Sequence, residues 1–155
     1  IPYEMGLIKN KYVGRTFIQP SQELRERGVK MKLSSVSSII RDKRVVLIDD
    51  SIVRGTTSKQ IVKLLRDAGA KEVHVRIASP TMTHCCYYGV DTSSKKDLIS
   101  SKHSVDEVCE IIGADSLAFL SVESLLKAGK RMGMCTACFD GKYPTELYTI
   151  NKDEE

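Results

Sequence analysis

Asp49 and Asp50 stand between an apolar run, Val45-Val46-Leu47-Ile48, and a loop of small and hydroxyl-bearing residues, Ser51-Ile52-Val53-Arg54-Gly55-Thr56-Thr57-Ser58. The types and their order suggest an anion site beside a site for hydroxyls or a cation. Gly55 and the small hydroxyl residues let backbone N–H groups come close to an anion. Thr56, Thr57 and Ser58 offer hydroxyl donors and are expected to cap a helix. The start of that helix carries roughly +0.5 charge, which favours a phosphate. Two carboxylates would repel the same phosphate, so Asp49 and Asp50 must face something else, and sugar hydroxyls or Mg²⁺ would suit them. A phosphorylated sugar requires both kinds of contact. The loop lacks the Gly-Lys-Ser/Thr of a Walker A motif and the spacing of a dinucleotide fingerprint.

Positioning these groups takes a strand before them and a helix after them. Arg44 to Ile48 read as a buried strand. From Thr57 onward Ile61, Leu64, Leu65 and Ala68 recur at helical spacing, and Gly69 is placed to end the helix. Val73, Val75 and Ile77 alternate with polar residues as a strand does. Strand, helix and strand in that order predict a parallel pair joined by a crossover. Ligands of such sheets bind beyond the carboxyl ends of the strands, where Asp49 and Asp50 fall.

Further elements follow the same rules. Tyr3 to Ile8 and Tyr87 to Val90 read as short strands, and Gln22 to Leu33 as a helix that Gly28 weakens. Ser104-Val105-Asp106-Glu107 forms a capping box before a helix whose apolar face holds Val105, Val108, Cys109 and Ile112. Leu117 to Leu120 read as a strand and Val122 to Ala128 as a helix. Beyond Gly129 the chain is rich in Gly, Cys and Met and reads as irregular. The expected division is a domain over residues 1–128 and a cysteine-bearing segment with an acidic tail over 129–155.

Two other groups carry chemistry. Lys9, Lys11 and Arg15 surround Tyr12, Gly14 and Phe17, which fits either a solvated basic hairpin or a loop that attracts an anion. Cys135-x-x-Cys138 is a metal or redox spacing, and a structural or incidental pair is equally open. A zinc ribbon would need a second such pair. Cys86 or its neighbour Cys85 could supply a third ligand, while Cys109 reads as core.

Composition narrows the class. The 155 residues hold 24 Lys plus Arg and 20 Asp plus Glu, a net charge of +4. Ten basic and four acidic residues fall in 1–44, so the charge is concentrated near the first third. That asymmetry suits an anionic ligand. There is no dense basic run or nucleic-acid module, so nucleic acid is not the expected partner. No apolar run reaches membrane-spanning length. The cysteines read as thiols that stay reduced or bind metal in a cytoplasmic α/β domain. Ile1 opens in the middle of a pattern, so an N-terminally truncated domain is expected.

Asp49-Asp50-Ser51-Ile52-Val53-Arg54-Gly55-Thr56-Thr57 resembles the phosphoribosylpyrophosphate (PRPP) loop of type I phosphoribosyltransferases. More narrowly, it resembles the amidophosphoribosyltransferase family. Lys9-Asn10-Lys11-Tyr12-Val13-Gly14-Arg15-Thr16-Phe17-Ile18 and Cys135-Thr136-Ala137-Cys138 resemble that family too, and the likeness runs from about Pro2 to Tyr148. It implies a type I phosphoribosyltransferase-like α/β fold, with a mostly parallel sheet flanked by helices. It also implies transfer of glutamine-derived ammonia to PRPP, giving 5-phosphoribosylamine and pyrophosphate in the first step of purine synthesis.

By that resemblance Arg54, Gly55, Thr56, Thr57 and Ser58 hold the 5′-phosphate. Asp49, Asp50 and Ser51 serve the ribose, with Mg²⁺ on the substrate beside the two carboxylates. Lys9, Tyr12 and Arg15 belong to a lid that also shapes an ammonia channel. Cys86, Cys135 and Cys138 match three ligands of a structural [4Fe-4S] cluster whose fourth lies outside the chain. Purine nucleotides are expected as feedback inhibitors at the same loop, and a homo-oligomer in the full-length protein. A glutaminase domain and a pyrophosphate loop ahead of Ile1 are expected there as well. The chain by itself is then expected to be inactive with glutamine and nearly so with ammonia. Two alternatives remain: a phosphoribosyltransferase acting on a nucleobase, and a non-enzymatic nucleotide-sensing iron–sulfur module.

Overall fold

The computed structural model describes residues 1–9, 33–90, 92, 94–130 and 132–147. Its centre is a three-stranded parallel sheet of β3 (Arg44–Asp49), β4 (Glu72–Ile77) and β5 (Ser116–Phe119), in that order. Before it comes a small antiparallel pair, β1 (Leu7–Lys9) with β2 (Leu33–Ser35), then the single turn α1 (Ser37–Ile40). Helix α2 (Thr56–Asp67) connects β3 to β4. Two 3₁₀ turns, Lys95–Asp97 and Ile99–Ser101, and helix α3 (Val105–Ile112) lie between β4 and β5. Helices α4 (Val122–Ala128) and α5 (Ala137–Asp140) follow.

The period of two seen in β4 sets the core. Register pairs Val45 with Val73, Leu47 with Val75 and Asp49 with Ile77, and Leu117 and Phe119 complete the same face. Val73 and Val75 are fully buried there against Ile61, Val62 and Leu65 of α2 and Val108 and Ile112 of α3. Each such side chain contributes roughly 1.5–3 kcal/mol through burial. Helix α3 opens with the expected capping box: the Ser104 hydroxyl accepts from the Glu107 N–H while the Glu107 carboxylate accepts from the Ser104 N–H. Cys109 is half-buried at the edge of the core, where its thiol donates to Ala114 O. Asp115 accepts from the Val73 N–H and from Arg66 Nη2, tying the start of β4 to the end of α2. Those bonds, the Val73 N–H first, hold its carboxyl below the usual range.

The opposite sheet face is open among the described residues. Ile48 is 74% exposed there. A chain of polar contacts runs across it. Arg44 Nε donates to Glu72 Oε2, His74 bridges Glu72 and Ser116, and Arg76 donates to Ser116 Oγ.

Several expectations need correction. The first strand starts at Leu7, not Tyr3, because its partner β2 reaches only Ser35. Leu33 is the first residue of that partner strand rather than a helix end. The expected helix over 22–32, most of the basic loop and the acidic tail lie outside the described residues. Tyr87 to Val90 form no strand; they are exposed bends, and the Tyr87 and Tyr88 rings lie against Tyr143 at 5.2 and 6.4 Å. The two rings meet a distant residue in tilted contacts rather than a neighbouring strand. The described residues after Gly129 are irregular as expected, apart from α5. No helix among the described residues is long and apolar enough to cross a membrane.

Candidate functional site

The site is built where β3 ends and α2 begins. Asp49 closes the strand, half-buried, and its carbonyl accepts from the Ala78 N–H at 2.9 Å, which fixes it beside the end of β4. Its carboxylate accepts from the Asp50 N–H at 3.0 Å. Burial pushes the Asp49 carboxyl above its usual range; that bond opposes the shift, and the neighbouring Asp50 charge adds to it. Asp50 is exposed and accepts from the Ser51 hydroxyl at 3.2 Å. The two carboxylates therefore differ: one is partly desolvated on the sheet, the other is in solvent.

Ile52, 2% exposed, anchors the loop in the core. The chain then turns at Gly55, whose φ of +75° and ψ of −13° lie in the left-handed region. Gly55, not a hydroxyl residue, is the N-cap, and no side chain caps α2. This corrects the expectation that Thr56, Thr57 or Ser58 caps the helix. The first intrahelical bond runs from Lys59 N–H to Gly55 O at 2.9 Å. The N–H groups of Thr56, Thr57 and Ser58 precede it and emerge at the helix start, where an anion can accept from them. Thr56 and Thr57 are half-buried, whereas Ser58 is 3% exposed, its side chain inside the fold.

Arg54 Nη2 donates to Asp97 Oδ2 at 2.9 Å. Sequence reasoning missed Asp97, and no local pattern marks a partner 43 residues away. Of the other expected site residues, Lys9 is exposed at the end of β1. Tyr12 and Arg15 lie outside the described residues.

The cysteines form a second centre. Cys138 O accepts from the N–H groups of Thr83 and His84 at 3.0 and 3.1 Å, which docks α5 on the segment preceding Cys86. Tyr143 donates its hydroxyl to Cys85 O at 2.7 Å. Burial pushes that phenol up to about 12. The Tyr88 N–H donates to Cys86 Sγ at 3.4 Å, and this bond, with the Val90 and Gly89 N–H groups, draws the Cys86 thiol down. Burial pushes the Cys138 thiol up, with Cys86 and Cys135 near enough to add to the effect. The docking of α5 therefore sets Cys138 against the segment that leads to Cys86. Among the described residues, no three His, Cys, Asp or Glu side chains are set to hold a single metal ion.

The chain is similar over most of its length to proteins of known family. Residues 5–110 match the family model of the phosphoribosyl transferase domain. The chain is 64% identical over 154 residues to the amidophosphoribosyltransferase of Bacillus subtilis, covering 96% of the chain and 32% of that protein. It is 56% identical over 149 residues to the Synechococcus elongatus amidophosphoribosyltransferase, with 95% and 30% covered. The solved structure of the Bacillus subtilis glutamine PRPP amidotransferase complexed with ADP and GMP superposes with a TM-score of 0.82 at 64% identity. That match covers 96% of this chain and 34% of the solved one. The chain spans about a third of the length of the curated relatives it matches.

Proposed function

This chain belongs to the family of phosphoribosyl transferase domains, and we propose that it is the part of an amidophosphoribosyltransferase that binds PRPP and carries ammonia to its C1. The observation that supports this most is the uncapped start of α2, opened by left-handed Gly55, next to two carboxylates at the end of a parallel strand. The N–H groups of Thr56, Thr57 and Ser58 and the Thr56 and Thr57 hydroxyls hold the 5′-phosphate, with Arg54 adding positive charge from the loop. Asp49, Asp50 and Ser51 hold the ribose.

In the reaction the ammonia lone pair forms the N–C1 bond, the C1–oxygen bond to pyrophosphate breaks, and the ammonium product loses a proton to solvent. C1 inverts through an oxocarbenium-like state. The residues named here fix the two ends of the sugar and exclude alternative orientations, so catalysis is mostly placement and charge. None of them serves as a nucleophile.

Two adjacent carboxylates, one half-buried, form an oxygen-only donor set that fits Mg²⁺ on the substrate. Bound there, the ion would neutralise charge on the pyrophosphate as it leaves. By the resemblance, Cys86, Cys135 and Cys138 would supply three thiolate ligands to a [4Fe-4S] cluster, soft donors of the kind such clusters take, with the N–H bond to Cys86 a contact that tunes thiolate ligands. The fourth ligand comes from elsewhere in the protein, and the cluster is structural. Anaerobic iron and sulfide should give the full-length protein a visible absorption band that Cys138→Ser removes. A variant that keeps the band would rule the trio out.

Lys9, Tyr12 and Arg15 close over bound PRPP, and purine nucleotides such as the ADP and GMP of the Bacillus subtilis complex compete through their phosphates at the same loop. The glutamine-derived ammonia arises in a further part of the protein, which works as a cytoplasmic homo-oligomer. The decisive assay supplies full-length protein with PRPP, Mg²⁺ and ammonium and follows 5-phosphoribosylamine and pyrophosphate. Equal release of both supports the assignment; pyrophosphate release that requires a nucleobase instead would overturn it.

A further inference from the structure

Three consecutive loop residues are held by one short segment between β4 and α3. Arg54 Nη2 donates to Asp97 Oδ2 at 2.9 Å. The Ile99 N–H donates to Val53 O at 2.9 Å. Ile99 Cδ1 lies 2.8 Å from where a β-carbon on Gly55 would stand. The segment is itself stiff. Leu98 is fully buried, Ser94 accepts from the Lys96 N–H, and Ser101 Oγ donates to Lys95 O and Leu98 O. Its contacts on Val53 and Gly55 shape the backbone, while the one on Arg54 acts on a side chain.

We infer that Asp97 is a positioning residue of the phosphate site, acting through Arg54. A long guanidinium side chain loses rotamer freedom when it meets an anion, and a carboxylate that holds it beforehand removes that cost. A guanidinium carries five N–H donors in a fork, so it can keep Asp97 and still present an edge to a phosphate. Because the pair is partly exposed (34% and 46% of the side chains), its influence is modest and screened by salt. The inference rests on the loop being the 5′-phosphate site.

The test titrates ribose 5-phosphate and PRPP into the intact protein by calorimetry, in wild type, Asp97→Asn and Asp97→Glu. Asp97→Asn should weaken ribose 5-phosphate binding about fivefold at low salt, the scale of an exposed ion pair. The gap should narrow as salt rises. In turnover with ammonia the loss should fall on the KM for PRPP, with kcat nearly unchanged, and Asp97→Glu should recover most of it. A structural strut alone would shift melting without this split or salt dependence. Wild-type affinity in Asp97→Asn overturns the inference, and tighter binding shows that Asp97 competes with the phosphate instead. If wild type fails to bind ribose 5-phosphate, the reading of the loop falls and the inference falls with it.

Discussion

Gly55→Ala should remove most PRPP binding while the domain stays folded. The N-cap needs φ of +75°, which costs an L-residue roughly 1–2 kcal/mol. The new β-carbon would also stand 2.8 Å from Ile99 Cδ1 and 3.8 Å from Ile112 Cγ2. Ile99 is held by its bond to Val53 O, so it can yield only by leaving its rotamer, at about 0.5–1.5 kcal/mol. Rotating residue 55 out of the left-handed region relieves both costs at once, and it re-aims the N–H groups of Thr56, Thr57 and Ser58. Affinity for ribose 5-phosphate should then drop more than about tenfold, with Tm lower by about 2–8 °C. Gly113→Ala is the control. Gly113 has φ of +76° but nothing within 4 Å of a β-carbon, at the far end of α3. It should lower Tm by less and leave binding intact. Calorimetry and melting curves on both variants separate a cradle built by the turn from a general loss of stability, and a Gly55→Ala protein that binds normally would refute the cradle.

Asp49→Asn combined with Asp50→Asn should abolish tight binding of PRPP with Mg²⁺ and leave stability at neutral pH unchanged or slightly raised. Burial lifts the Asp49 carboxyl above its ordinary range. A raised carboxyl favours folding below its unfolded value, and that contribution is lost as pH rises through the folded one. At neutral pH the ionised, half-buried Asp49 therefore opposes folding, and Asn relieves it. On the proposed reading, the carboxylates serve the ligand rather than the fold. In the wild type, PRPP affinity should fall as pH drops through the raised Asp49 value, because protonation removes the charge that faces Mg²⁺. Titrations at neutral and acid pH, with melting curves for both proteins, check the two halves together. Full affinity in the double variant, or a drop in melting temperature of more than a few degrees, would contradict this account.

Both predictions turn on residues visible in the sequence, yet the reasons come from different levels. The strand β3, the loop and helix α2 are legible because each has a local period: an apolar run, small residues, then Ile61, Leu64, Leu65 and Ala68 at helical spacing. The alternation of Val73, Val75 and Ile77 and the Ser104 capping box are legible for the same reason. The sequence points to a hydroxyl residue as the cap of α2, whereas Gly55 takes that position. Hydroxyl residues compete for that position on average, and the left-handed turn under Ile99 settled it for glycine. The aromatic and β-branched run of Tyr87 to Val90 suggests a strand, but β propensity describes fit to a neighbour, and the rings of Tyr87 and Tyr88 meet Tyr143 instead.

The sequence by itself determined the parallel strand–helix–strand unit, the placing of Asp49 and Asp50 at its carboxyl end, and the resemblance carried by the loop and the cysteines. These are local facts, written in residue type and period over a dozen positions. Only the tertiary structure decided that Asp97 meets Arg54 and that α5 docks beside the segment leading to Cys86. It alone left one sheet face open among the described residues and buried one of two adjacent carboxylates more than the other. Contacts between residues 43 or more positions apart depend on how packed elements meet, and no local periodicity records that.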